Sequence, residues 1–71
     1  MNNEQQRVVH VNGARESLAA ATVSELLAGR EIDLRGIAVA LNGRVVPRAA
    51  WDATAIKDGD AIEIVRAMRG G

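Results

Sequence analysis

The sequence predicts an α+β fold in which one short helix packs on a small mixed sheet of four to five strands. Three observations lead there. Two Asn-Gly pairs, Asn12-Gly13 and Asn42-Gly43, each follow directly on a β-prone run. One capping-box pattern, Thr22-Val23-Ser24-Glu25, opens a single stripe of helical period. A last β-prone run, Ala61 to Arg66, has no strand beside it in sequence and is expected to insert next to the first strand at the sheet centre.

Val8-Val9-His10-Val11 is the first strand, with Val9 and Val11 facing the core and His10 facing solvent with Val8, because strand side chains alternate. The Asn-Gly pair turns it into a weak return strand, about Ala14 to Leu18, expected at a sheet edge. In the helix, Val23, Leu26 and Leu27 fall at i, i+3 and i+4 and form one apolar stripe. Gly29 is placed to end the helix. About two turns cannot hold themselves in water, so packing against the sheet must hold them.

Ile37, Val39 and Leu41 share one face of the third strand and Ala38 and Ala40 the other. After the second Asn-Gly turn, Arg44-Val45-Val46 returns and stops at Pro47, which has no N–H for a ladder. Residues 48–56 lack strand alternation and read as a loop with a short helical turn, anchored by Trp51 and Ile56. Lys57-Asp58-Gly59-Asp60 is a tight turn. In the final strand Ile62 and Ile64 point inward, Glu63 and Val65 outward. Residues 1–6 are polar and expected to be a disordered extension, 7–66 the folded domain, and 67–71 a flexible tail.

Composition narrows the function. The 71 residues allow one domain, which buries only roughly 60% of its unfolded surface. There is no cysteine, which removes disulfides and thiol-based zinc sites. Nine basic and nine acidic residues cancel, and Trp51 is the only aromatic, so neither net charge nor stacking platforms favour a nucleic-acid partner. No apolar run reaches the roughly 20 residues of a membrane helix, and the polar start has no apolar segment of a secretory signal. The expected setting is cytoplasmic, without membrane or nucleic-acid partners.

Catalytic machinery is equally hard to assemble. His10 is the single histidine, and a metal site needs further ligands. Asp58 and Asp60 around Gly59 are turn chemistry rather than a cation site. Ser17 and Ser24 have no His-Asp arrangement to activate them. Trp51 reads as a packing anchor. What remains is the closing pair Gly70-Gly71. Without Cβ atoms, such a tip can thread a narrow channel and present a carboxylate without hindrance; the bland reading is a trimmed linker. Arg66 to Gly71, if extended, spans roughly 20 Å at 3.3–3.6 Å per residue. Two readings stand for Val65 and Met68: isolated exposed apolar groups, or a docking patch together with Val46. Arg66 and Arg69, with Arg44 and Arg48, are either solvated charge or contacts to acidic groups on a partner.

Ala38-Val39-Ala40-Leu41-Asn42-Gly43, then Val45-Val46-Pro47-Arg48, Trp51, Asp58-Gly59-Asp60 and Ile62-Glu63-Ile64-Val65, ending in Gly70-Gly71, resembles the ThiS family. Those are sulfur carriers of thiazole formation in thiamine biosynthesis, with a ubiquitin-like β-grasp fold. The resemblance spans roughly Val8 to Gly71; the polar extension and Arg69 before the glycines depart from the family pattern. It implies that a ThiF-like adenylating enzyme, using ATP and a divalent metal ion, activates the Gly71 carboxylate, and that a sulfur donor protein then converts it to a thiocarboxylate. Thiazole synthase, ThiG-like, accepts the sulfur. By this resemblance the chain is a protein co-substrate, not an enzyme, binds no cofactor itself, and is a monomer when free. Gly70, Arg69, Met68, Arg66, Val65 and Val46 are its expected partner-binding residues. A carrier for molybdopterin or another sulfur-containing metabolite remains open, as does a ubiquitin-like modifier that forms amide bonds; Lys57, the single lysine, argues against chain building on itself.

Overall fold

In the computed structural model, which describes residues 6–66, the chain runs β1 (Arg7–Val11), β2 (Ala14–Leu18), α1 (Val23–Ala28), β3 (Ile37–Leu41), β4 (Arg44–Val46), a 3₁₀ segment (Arg48–Ala53) and β5 (Ala61–Arg66). The sheet order is β2-β1-β5-β3-β4. β1 and β5 are parallel, and the other pairs are antiparallel. The last strand therefore lies at the centre and β2 at an edge, as expected. One helix on one face of this mixed sheet is the β-grasp arrangement.

Both Asn-Gly pairs make their hairpins. Asn12 and Asn42 have φ of 52°, and Gly13 and Gly43 have 84° and 85°. Positive φ at both central residues is what a type I′ turn requires. These turns fix the register, with Val11 opposite Ala14 and Leu41 opposite Arg44. One slip would move every side chain to the other face.

Thr22 Oγ1 accepts from the Glu25 N–H at 3.2 Å, half of the capping box. The other half reaches one residue further than expected: Glu25 Oε1 accepts from the Ala21 N–H, not from Thr22. The helix does end at Gly29, but with right-handed φ and ψ of −83° and −2°. Gly29 N–H is shared by the Glu25 and Leu26 carbonyls, and Arg30 N–H bonds Leu27 O, so the last turn tightens instead of turning left-handed.

Val23, Leu26 and Leu27 are buried against Val9, Val11, Val39, Val46, Ile56 and Ile62 of the sheet side, with Trp51 closing one end. Trp51 is anchored as expected, its Nε1–H donating to Val46 O at 3.1 Å, with the Arg48 guanidinium 4.6 Å over its ring. An isolated bridge between Thr22 and Ala55, with Ile56 N–H bonded to Ala21 O, ties the loop after the 3₁₀ segment to the helix entry.

Asp58 and Asp60 serve the turn. Asp58 Oδ1 accepts from Val8 N–H at 2.7 Å and Asp60 Oδ2 from Lys57 N–H at 2.7 Å. Val8 is half-buried rather than solvated, and His10 is exposed. Gln6, assigned from sequence to the extension, accepts a 2.8 Å hydrogen bond from Ser17.

Candidate functional site

The site follows from what holds β5, because this central strand carries the chain toward Gly70-Gly71. Both turn asparagines hold it with their side chains. Asn12 Oδ1 accepts from Ile64 N–H at 2.8 Å, and Asn12 Nδ2 donates to Ile64 O at 3.2 Å. The amide thus continues the β1–β5 ladder where β1 has already turned away. At the other end Asn42 Oδ1 accepts from Ala61 N–H, and Asn42 Nδ2 donates to Asp60 Oδ1. Each asparagine supplies both the positive φ of its hairpin and a clamp on β5. Only the first role is legible in an Asn-Gly pair.

On the sheet face away from the helix, register sets two short rows. Val45 lies opposite Ala40, which lies opposite Glu63. Ala38 lies opposite Val65. Val45 and Val65 are the exposed large hydrophobic residues among those described, 74% and 54% accessible, and the two alanines floor the space between their strands. Val65 lies next to the end of β5 and Val45 two strands away toward the Asn42-Gly43 turn, so the exposed apolar groups share one sheet face.

Val46 does not belong to it. It is 8% accessible, pairs with Val39 and sits in the core, and its carbonyl is taken by Trp51. The exposed member is its neighbour Val45. Counting pairs outward from Asn42-Gly43 places Val45 on the alanine face, a signal present in the sequence but not used. Val65 is exposed on the outer face, whereas Arg66, exposed and opposite Ile37, shares the inner face with Ile64. Successive residues therefore present an apolar group to one side of β5 and a guanidinium to the other. Met68, Arg69, Gly70 and Gly71 lie outside the described residues.

Elsewhere the described residues hold no group of three or more metal-ligating side chains. Ser24 donates to Asp52 and Ser17 to Gln6, so neither hydroxyl meets an imidazole. Arg48 Nη2 donates to Leu34 O at 2.6 Å, holding the 30s loop, and Arg44 is exposed on β4. Arg35 grips Asp33 through Nε and Nη2, both at 3.0 Å. That hydrogen-bonded guanidinium holds the Asp33 carboxyl below its ordinary 3.8, helped by the Arg35 N–H and slightly by the field of Arg66. No helix among the described residues is long and apolar enough to cross a membrane.

Residues 1–71 match the model of the ThiS family. The chain belongs to the ThiS family. It is 33% identical over 64 residues to the sulfur carrier protein ThiS of Thermus thermophilus, covering 90% of this chain and 100% of that one. Against the sulfur carrier protein ThiS of Escherichia coli the figures are 36% over 58 residues, 82% and 88%. It is also 37% identical over 62 residues to a thiazole synthase of Paramagnetospirillum magneticum, covering 86% of this chain but only 19% of that protein. The crystal structure of the thiamine biosynthesis protein ThiS of Geobacter metallireducens superposes with a TM-score of 0.78 at 40% identity, covering 90% of this chain and 99% of that one. The ThiS fold thus accounts for the five-stranded sheet and short helix seen here.

Proposed function

We propose that this chain is a sulfur carrier of thiazole formation in thiamine biosynthesis. The observation that carries the reading is the match along the full length of a sulfur carrier protein, joined to a β5 that is clamped at Ala61 and Ile64 and leads toward two glycines. A thiazole synthase that contains a region similar to this chain supports the synthase as sulfur acceptor. The reading takes Gly71 as the carboxyl end of the working protein.

A terminal carboxylate, with an ordinary pKa of about 3.5, is ionised at neutral pH and is a poor electrophile. In the proposed cycle its oxygen attacks the α-phosphorus of ATP on a ThiF-like enzyme. Pyrophosphate leaves and an acyl-adenylate forms, the partner's metal ion and cationic groups stabilising the developing charge. Hydrosulfide released from a donor protein then attacks the acyl carbon, the C–O bond to AMP breaks, AMP leaves, the thiol proton is lost to solvent, and a thiocarboxylate remains on Gly71. Thiazole synthase takes that sulfur. The carrier contributes no catalytic group; Val45, Val65, Ala38 and Ala40 dock it, and Gly70, Arg69 and Met68 enter the partner's channel. The working protein is monomeric when free and cytoplasmic in this reading.

The test is adenylation. With the adenylating enzyme, ATP and magnesium, the full chain should release pyrophosphate, whereas a chain lacking Gly71 should release none while keeping its circular dichroism spectrum. Equal release from the shortened chain overturns the reading, as does an amide link between Gly71 and a lysine of a target protein.

A further inference from the structure

On the inner side of β5, away from the apolar strip, a cleft of about 280 Å³ opens between the end of the sheet and the segment after the helix. Its floor is aliphatic, from Val11, Ile32, Ile37 and Ile64, and Arg30 and Arg66 stand over it. Arg30 Nη2 bonds Glu16 Oε1 at 2.5 Å, but its Nε is buried with no acceptor among the described residues. The Arg66 side chain is exposed and has no ion-pair or hydrogen-bond partner among the described residues; the nearby acid, Asp33, is gripped by Arg35.

We infer that this cleft receives an acidic side chain of the adenylating partner, a carboxylate carried on an aliphatic segment. The exposed Arg66 guanidinium, with the Glu16-paired Arg30 beside it, selects an anion, and Arg recognises carboxylates with paired N–H donors. The aliphatic floor selects a protein segment over a free ion, since a small anion would leave the half-buried Ile32, Ile37 and Ile64 uncovered. Position gives the same answer: Arg66 directly follows Val65, so the cleft and the docking strip are the two faces of one strand. A partner that fills both clasps β5 on either side as the tail enters its active site. The inference rests on the carrier reading and names the chemistry of the partner's second contact.

The test compares Arg66→Glu with Arg15→Glu, the same charge change on the exposed edge strand β2, in the full chain. Affinity for the adenylating enzyme is measured by calorimetry at low and high salt. Arg66→Glu should weaken binding at least tenfold at low salt, with a reduced salt dependence, and Arg15→Glu less than about twofold, because exposed charges beyond a Debye length of about 10 Å are screened. Methyl resonances of Ile37 and Ile64 should shift when the wild-type chain binds and stay in place for Arg66→Glu. Equal affinities for the two variants overturn the cleft contact while wild-type pyrophosphate release leaves the carrier reading standing. A wild-type chain that neither binds nor is adenylated overturns both. Inorganic phosphate that shifts the same methyl groups, with no shift from the enzyme, assigns the cleft to a free anion and overturns the inference.

Discussion

Removing the Asn12 side chain should destabilise the protein and loosen β5 at Ile64. Asn12→Ala loses two hydrogen bonds, from Ile64 N–H to Oδ1 and from Nδ2 to Ile64 O. Both are exposed, so water partly replaces them, and about 0.5–1 kcal/mol each is appropriate. Alanine must also hold the φ of 52° that asparagine tolerates, which adds about 1 kcal/mol. The expected loss is about 2–3 kcal/mol, a large part of the roughly 4–10 kcal/mol that a domain of this size possesses at 0.05–0.15 kcal/mol per residue. Asn12→Asp keeps the acceptor and the left-handed tolerance and loses only the donor, for about 1 kcal/mol. Urea unfolding followed by the fluorescence of the buried Trp51 measures both. Amide exchange then separates the mechanisms: Ile64 N–H should lose protection in Asn12→Ala and keep it in Asn12→Asp. Two variants within about 0.5 kcal/mol of wild type, the ordinary surface range, would refute the clamp.

Three further outcomes follow from the same geometry. Leu27→Ala empties a fully buried site between helix and sheet and should cost about 2–5 kcal/mol, seen as a lowered urea midpoint. Val45→Lys and Val65→Lys should each weaken the adenylating enzyme's binding about tenfold, or about 1.4 kcal/mol, without changing the urea midpoint, whereas Val46→Lys should unfold the chain. Asp33 should titrate below 3.8 by carbon-detected NMR and move back toward that value in Arg35→Ala. Because its folded value is depressed, its small stabilisation is present at neutral pH and lost as pH falls through that lowered value.

Local chemistry was legible in the sequence, as was the place of β5 beside β1, but the long-range side-chain contacts were not. The Asn-Gly turns, the Thr22 cap and the alternation of Val9, Val11, Ile62 and Ile64 depend on residues within a few positions of one another, so pattern suffices. The clamps of Asn12 on Ile64 and Asn42 on Ala61 join residues far apart in sequence, and an Asn that already explains a turn gives no sign of a second task. Val45 and Val46 are chemically identical neighbours in a three-residue strand. Only the register set by the turn assigns one to solvent and the other to the core. The Arg30–Arg66 cleft needs the segment after the helix to fold against the end of β5, which no periodicity encodes.

Sulfur location tests the central claim most directly. After the chain is incubated with the adenylating enzyme, ATP and a sulfur source, fragmentation of the product in a mass spectrometer assigns the mass change to a residue. The account predicts one oxygen replaced by sulfur on the carboxyl group of Gly71, with the body of the domain unchanged. Sulfur on any side chain of that body, or a product of unaltered mass from an adenylated chain, contradicts it.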